Sequence, residues 1–254
     1  MDLPLTFLCL AAFVAGFIDS IVGGGGFVQV PAFFILYPQL SVPYVIGTNR
    51  VASAVGTSVA AWNYWRQVKV PWKTVLFAGA GAGVASYLGA TVQSMIPSDV
   101  LKPIILGIIV VIAIYTYRNK TLGQTENFKV PPEKAHFYAL GIGLVMGFYN
   151  GLIGPGTGSL LVFAFVGIIG YNFLSASAIS KIINVVADVS SLTFFFANKY
   201  ILFHLALPMM LCNMTGSYLG SQMAMLRGNT FIRKVFLVVI AATIARFAWD
   251  VFMK

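Results

Sequence analysis

"GFIDSIVGGGGFVQVP", residues 16–31, places four consecutive glycines inside an apolar stretch that begins almost at the N-terminus. Each glycine in a helix interior loses about 1 kcal/mol relative to alanine, so a continuous helix is unfavourable here. A second stretch, "GFYNGLIGPGTGSLLV" at residues 147–162, repeats the break 131 positions later. The two stretches predict a pair of helical segments, each interrupted at a glycine-rich tip.

The composition is that of an integral membrane protein. Of the 254 residues, 59% are hydrophobic and only 9% are charged, with a mean hydropathy of +0.87. A soluble domain cannot bury that much apolar surface. The N-terminal run from Leu3 lacks the basic region of a cleavable signal peptide and continues into the glycine motif. Besides the broken segments, runs of membrane-spanning length lie at 44–65, 74–96, 103–117, 173–197, 201–226 and 231–252.

The chain carries an internal repeat. An ungapped shift of 131 residues aligns Gly16 with Gly147 and Arg50 with Lys181, and "SYLG" at 86–89 recurs at 217–220. A register held this long indicates duplication. We therefore predict an all-α membrane protein with three parts: an N-terminal repeat at 1–118, a cytoplasmic connecting loop at 119–134 and a C-terminal repeat at 135–254.

The first broken segment, Leu3 to Tyr37, is too long for one crossing and short for two. Its second arm extends only about 17 Å, roughly half of the ~30 Å hydrocarbon core, which favours a re-entrant hairpin. With three full crossings after each hairpin, each half crosses an odd number of times, so the repeats are predicted to be inverted. The basic loops 66–73, 118–134 and 227–234 then share the cytoplasmic side, and both termini lie outside. Two full crossings per broken segment would satisfy the same charges, and this alternative stays open.

The hairpin tips are the predicted anion-binding elements. Irregular backbone in a bilayer is tolerated only inside protein or beside a polar cavity. Helices that begin at the tips would direct free N–H groups and positive dipole ends into one cavity, which suits an anion. The alternative is that glycines only permit close helix packing. The predicted tip residues are Gly23, Gly24, Gly25, Gly26, Gly154, Pro155, Gly156, Thr157, Gly158 and Ser159.

Two cations at corresponding depths complete the predicted site. Arg50 and Lys181 each lie about seven residues into a predicted helix, where burial costs at least ~2.5 kcal/mol unless the side chain faces a cavity or partner. The alternative is that both side chains reach the headgroups. Their polar neighbours Asn49 and Asn184 can donate further hydrogen bonds, and Gln29 is assigned equally to the site and to packing.

Two deep acids are candidates for coupling. Asp19 is interpreted as a protonatable residue, as an ion-pair partner of Arg50, or as a cap for backbone N–H groups at the tip. Asp188 lies two turns after Lys181, so it is expected to pair with Lys181 or with a cation on another helix. His136 and His204 are expected to anchor helix ends, with proton coupling as the less favoured role. Cys9 and Cys212 lie in apolar runs and are expected to pack rather than bind metal.

At these motifs the chain resembles the sulfite exporter TauE/SafE family of membrane permeases. The resemblance rests on "FVQVPAFFIL" after the first break, "VIGTNRVASAVGT" at 45–57, "GFYNGLIGPGTGS" and "ASAISKIINVVADVSS". It implies about eight transmembrane helices in two related halves. It also implies movement of sulfite and organosulfonates across the inner membrane.

The sequence therefore predicts a secondary transporter, an exporter of a small sulfur-containing anion, that works by alternating access. Protons are one candidate coupling ion, and the membrane potential alone also drives anion efflux. A passive channel stays open. An intramembrane enzyme acting on a lipid phosphate is disfavoured because Glu126 and Glu133 lie in the polar loop, and no histidine adjoins either tip. The chain has no nucleotide-binding motif, and we expect no cofactor, no metal and no nucleic-acid partner.

Overall fold

The computed structural model of the protein describes residues 3–93 and 123–252, with side chains described up to residue 241 except that of residue 240. Within these ranges the chain is helical and contains no strand. The helices are α1 (Leu3–Val22), α2 (Gly26–Leu36), α3 (Val42–Gln67), α4 (Trp72–Gln93), α5 (Ala135–Leu152), α6 (Thr157–Ala164), α7 (Phe173–Ala197) and α8 (Phe203–Phe252). A π-helical turn, Phe165–Ile169, continues α6.

Three helices, α1, α4 and α7, are long and apolar enough to cross a bilayer, judged by length and composition alone. The second arms of the broken segments are shorter apolar helices, α2 and the run Thr157–Ile169. The prediction of an all-α protein built from apolar helices is confirmed. The re-entrant depth of the tips and the inverted orientation of the halves stay predictions.

The predicted division of the C-terminal part into two helices agrees with the structure. The sequence predicts two spans there, separated by a basic loop at 227–234, and the range α8 holds two helices that meet at the non-helical residue Gly228. Gly228 has φ 65° and ψ −163°. Because glycine adopts a positive φ without a steric penalty, one residue redirects the chain and no loop is needed. The predicted span at 103–117 lies outside the described residues.

Both helix breaks rest on glycines with a left-handed backbone. Gly23 and Gly24 have φ of 81° and 97°, and Gly154 and Gly156 have φ of 85° and 88°. These torsions end α1 and α5 and turn the chain into α2 and α6. All but one residue of α6 are buried, so the interrupted backbone of the second segment is enclosed by protein, as a membrane requires.

The first helix of each predicted half packs on a helix of the other half. A Cβ added at Gly16 of α1 would lie 2.2 Å from the carbonyl oxygen of Asn213 in α8. The residues at the corresponding repeat positions make the equivalent contact, because a Cβ at Gly147 of α5 would lie 2.4 Å from the Cα of Ala82 in α4. The two breaks are thereby held by equivalent glycine contacts, α1 on α8 and α5 on α4.

Candidate functional site

The two glycine tips lie in direct contact. A Cβ added at Gly158 would lie 2.7 Å from the Cα of Gly23, and one at Gly26 would lie 2.8 Å from the Cα of Pro155. No side chain larger than hydrogen fits at either position without a shift. The glycines therefore serve two needs at once, a left-handed turn in each segment and close approach between the segments.

A cavity of about 50 Å³ lies beside the tips. A single water needs roughly 10–15 Å³ of such volume, so the cavity has room for a few waters or one small solute. The predicted site residues that line it are Asp19, Gly26, Asn49, Arg50, Gly154, Pro155, Gly156, Thr157, Gly158, Asn184 and Asp188. The lining also includes Ile46, Ser53, Thr57, Asn150 and Ile153.

The other predicted site residues lie behind this lining. Gly23, Gly24 and Gly25 form the back of the first tip, where the Gly25 amide donates to Asp19 Oδ1 at 3.3 Å. Gln29 accepts a hydrogen bond from Asn213 Nδ2 at 3.0 Å, so it joins α2 to α8. Ser159 lies beside Gly24, 3.1 Å from the position that a Cβ there would take.

Arg50 is buried and bonded on several sides. Its Nη1 lies 2.9 Å from Asp188 Oδ1 on α7 and also donates to the side-chain oxygen of Asn150. Its Nη2 donates to the backbone carbonyl of Asn150, near the end of α5. Asn150 Nδ2 in turn donates to Asp188 Oδ1 at 3.0 Å, and Ser86 donates to Asn150 at 3.2 Å. A guanidinium suits this arrangement because its planar donors reach several acceptors at once.

Lys181 is fully buried and bonds to the first hairpin, which belongs to the other predicted half. Its Nζ lies 3.1 Å from Asp19 Oδ2 on α1. Thr57 Oγ1 donates to the same oxygen at 3.3 Å, while Asp19 Oδ1 accepts from the Gly25 amide. The carboxylate of Asp19 therefore joins α1, α3, α7 and the first tip.

The two networks are related by the repeat. The 131-residue shift places Arg50 on Lys181, Asn150 on Asp19 and Asp188 on Thr57. In each network the cation bonds to the hairpin of the opposite half. The position of the acid differs between the two networks. The acid that pairs with Lys181 is Asp19, on a hairpin, whereas the acid that pairs with Arg50 is Asp188, on the helix α7. Each cation thus faces one carboxylate.

These contacts decide between the predicted alternatives. Asp19 pairs with Lys181, so the predicted pair of Asp19 with Arg50 is wrong. Asp188 pairs with Arg50, which confirms the predicted alternative of a cation on another helix and not that of Lys181. The expected capping contact of Asp19 is present at Gly25. The alternative that the cations reach the headgroups is wrong, because the side chains of Arg50 and Lys181 are 3% and 0% exposed and end on internal carboxylates.

Several polar groups at the site lack a partner. Among the described residues, none accepts a hydrogen bond from the amides of Gly26 and Gly158, both of which line the cavity. Asn49 Oδ1, Asn184 Oδ1 and Ser159 Oγ are buried and unbonded. A buried polar group without a partner costs about 1–3 kcal/mol. Such a cluster is therefore typical of a place where a polar molecule binds.

The described part of the chain offers no grouping of three or more His, Cys, Asp or Glu side chains suited to a metal ion. Cys9 and Cys212 are free thiols. His136 packs its ring against Phe77, with centroids 4.8 Å apart, and is not among the residues that line the cavity.

Comparison with known proteins gives a family for this arrangement. The family model for the sulfite exporter TauE/SafE matches residues 8–247. The chain belongs to the TauE/SafE family. It is 34% identical to a "Probable membrane transporter protein ORF9" of a Sinorhizobium species, over 97% of this chain and 93% of that protein. It is 29% identical to a "Probable membrane transporter protein" of Haemophilus influenzae, over 98% and 96%. No solved structure matches the chain.

This member of the TauE/SafE family is accordingly a multi-pass membrane transporter protein. The two relatives quoted above are bacterial, and their names state a membrane transporter without a substrate. Sequence reasoning missed Thr57, Asn150 and Ser86 as members of the two networks. The repeat register carried a signal for the first two, because it aligns Thr57 with Asp188 and Asn150 with Asp19.

Proposed function

We propose that the protein is a secondary transporter that exports a small sulfur-containing anion, sulfite or an organosulfonate, across the inner membrane. The observation that carries the proposal is the cavity, where two glycine tips, the buried cation Arg50 and unbonded tip amides converge, with the buried Lys181 behind the lining residue Asp19. Substrate class and direction are added from the family's description as sulfite exporters.

The donors around the cavity suit an oxyanion. Backbone amides at Gly26 and Gly158 stand at the N-termini of α2 and α6, where the helix dipole favours negative charge. Arg50 adds planar donors on one side. The enzymatic alternative is disfavoured, because the described residues that line the cavity include no histidine, cysteine, lysine or glutamate to act beside the two aspartates.

The contacts that hold the hairpins support the proposal of alternating access. Arg50 and Lys181 belong to different halves, and each bonds to the hairpin of the opposite half. An anion that takes donors from these cations loosens contacts between the halves, which is the step that a rocking carrier needs. The membrane potential favours efflux by about 2.3 kcal/mol per charge per 100 mV. Proton coupling through Asp19 or Asp188 is the second component of the proposal.

Proteoliposomes loaded with ³⁵S-sulfite test this function. We expect saturable efflux and counterflow, in which external sulfite accelerates loss of the labelled anion. Parallel assays with taurine, sulfoacetate, sulfate and chloride define the substrate class. Linear, non-saturating flux without counterflow would assign a channel, and the absence of flux for every sulfur-containing anion would refute the proposal.

A further inference from the structure

Asp19 separates Lys181 from the cavity. The side chain of Lys181 is 0% exposed and does not belong to the cavity lining, although its Nζ would lie 3.4 Å from a Cβ at the lining residue Gly158. The side chain of Asp19 is 22% exposed and lines the cavity. A solute in the cavity therefore meets the carboxylate before it meets the ammonium.

The carboxylate of Asp19 already uses the donors that an incoming oxyanion needs. Its two oxygens accept from the Lys181 ammonium, the Thr57 hydroxyl and the Gly25 amide at the tip. These are a cation, a hydroxyl and a helix N-terminal amide, the donor set of an oxyanion site. The carboxylate of Asp19 therefore occupies the oxyanion site that these three donors form.

The Arg50 network does not have this form. Its acid, Asp188, is 10% exposed and is held by both Arg50 and Asn150. On the hairpin itself the equivalent of Asp19 is the neutral Asn150. A carboxylate that is attached to a hairpin and faces both the cavity and a buried cation is thus specific to the first half.

We propose that Asp19 is a tethered competitor of the transported anion for Lys181. The anion displaces the carboxylate, binds Lys181, and thereby releases the first tip from α7. Return of Asp19 to Lys181 expels the anion and resets the hairpin. This inference rests on the proposed function, because it assigns the group that the transported anion replaces.

The proposal predicts that removing the negative charge of Asp19 increases the affinity of the protein for the transported anion. In Asp19→Asn the competitor is neutral, so ³⁵S-sulfite should bind the purified protein roughly 10- to 100-fold more tightly, the factor that one charge-assisted hydrogen bond is worth. Efflux at saturating sulfite should slow, because nothing expels the bound anion. A residue with a merely structural role would not tighten binding when it is altered.

Three variants control the experiment. Asp19→Asn/Lys181→Gln should lose the gain, because the cation that binds the anion is gone. Asp19→Asn/Thr57→Asp should bring affinity back towards the wild-type value, because Thr57 contacts the same carboxylate oxygen as Lys181 and corresponds to Asp188 in the other half. Asp250→Asn makes the same chemical change in the last turn of α8 and should leave sulfite affinity unchanged.

The outcomes separate the two proposals. A wild-type protein that neither binds nor moves sulfite, taurine or sulfoacetate overturns both. A wild-type protein that exports sulfite, together with a folded Asp19→Asn variant that binds it no more tightly, overturns only the role of Asp19. If Asp19→Asn does not fold, Asp19→Ser also removes the competing charge and keeps an oxygen that can accept from the Gly25 amide, and it should tighten sulfite binding over the same roughly 10- to 100-fold range. Weaker or unchanged binding in that variant counts against the proposal.

Discussion

Replacing Arg50 by glutamine tests whether its buried charge serves the fold, the site or both. The exchange removes the cation that lies 2.9 Å from Asp188, in a pair whose side chains are 3% and 10% exposed. The carboxylate then stays buried with only Asn150 as a side-chain donor. Breaking a buried pair by removing one partner costs about 3–5 kcal/mol, and we expect Arg50→Gln to lower the free energy of unfolding by this amount.

The double variant Arg50→Gln/Asp188→Asn separates stability from binding. It removes both charges, so no uncompensated ion remains, and the amide that replaces the Asp188 carboxylate keeps an oxygen that can accept from Asn150. We expect it to recover at least about 2 kcal/mol of the loss, because neutral replacement of a buried pair is often tolerated. Denaturant unfolding in mixed micelles measures the stability. Efflux from proteoliposomes measures the KM for sulfite, which we expect to rise at least tenfold in the double variant, since the donors of Arg50 are gone.

Two results would refute this reasoning. A double variant no more stable than Arg50→Gln would mean that Arg50 and Asp188 are not energetically coupled. A stable double variant with the wild-type KM would mean that Arg50 does not contact the anion. The matched control is Gly141→Ala in α5, where an added Cβ has no atom within 4 Å; it should leave the KM unchanged and raise the free energy of unfolding by no more than about 1 kcal/mol.

Three further predictions test the tips, the repeat and the coupling. Gly23→Ala should abolish efflux and destabilise the protein, because its Cβ would lie 2.3 Å from the Gly158 backbone at a φ of 81°; full activity would contradict the tip geometry. The double variant Asn150→Asp/Asp188→Asn moves the acid that pairs with Arg50 from α7 to the second hairpin, at a position to which Arg50 already donates a hydrogen bond. Stability should stay within about 1 kcal/mol in denaturant unfolding, since the buried pair is kept, and a loss above about 3 kcal/mol would show that Arg50 requires the acid on α7. An imposed pH gradient at clamped voltage should drive sulfite movement if protons are coupled, and indifference to the gradient would eliminate coupling.

The helix breaks were predictable because their cause is local. A run of glycines disfavours a helix wherever it lies, and a left-handed turn needs a residue without a Cβ. The structure ends α1 at Val22 and α5 at Leu152, beside the two motifs. The burial of Arg50 and Lys181 was also foreseeable, since the bilayer penalises an unpartnered charge and each cation lies at the same repeat position.

The pairing of the charges was not predictable, because it depends on how the halves meet. Asp188 lies two turns from Lys181 on one face of a helix, and the sequence leaves Lys181 and a cation on another helix as equal alternatives. In the structure each cation instead reaches the hairpin of the other half, which no spacing within one helix encodes. The place of the break at Gly228 was predictable from the basic stretch around it, but its length was not, since such a stretch is compatible with a longer loop or with a single non-helical residue between two helices.

The two sets of contacts between the predicted halves differ in the acceptor that the cation uses, and on the proposed function this difference would give the transport cycle an order. Arg50 holds the second hairpin through the side chain and the backbone of Asn150, and the backbone acceptor stays in place whatever the charge of the cavity. Lys181 holds the first hairpin through the carboxylate of Asp19, an acceptor that a free anion can replace. Energetic coupling between halves needs an element with two discrete arrangements that the ligand biases. If Asp19 competes with the anion as proposed, the first hairpin meets this requirement, because Asp19 and the substrate would use the same cation. The proposal thus assigns one hairpin that stays fixed and one that the anion releases, and the sulfite affinity of the Asp19 variants decides whether the molecule works in this way.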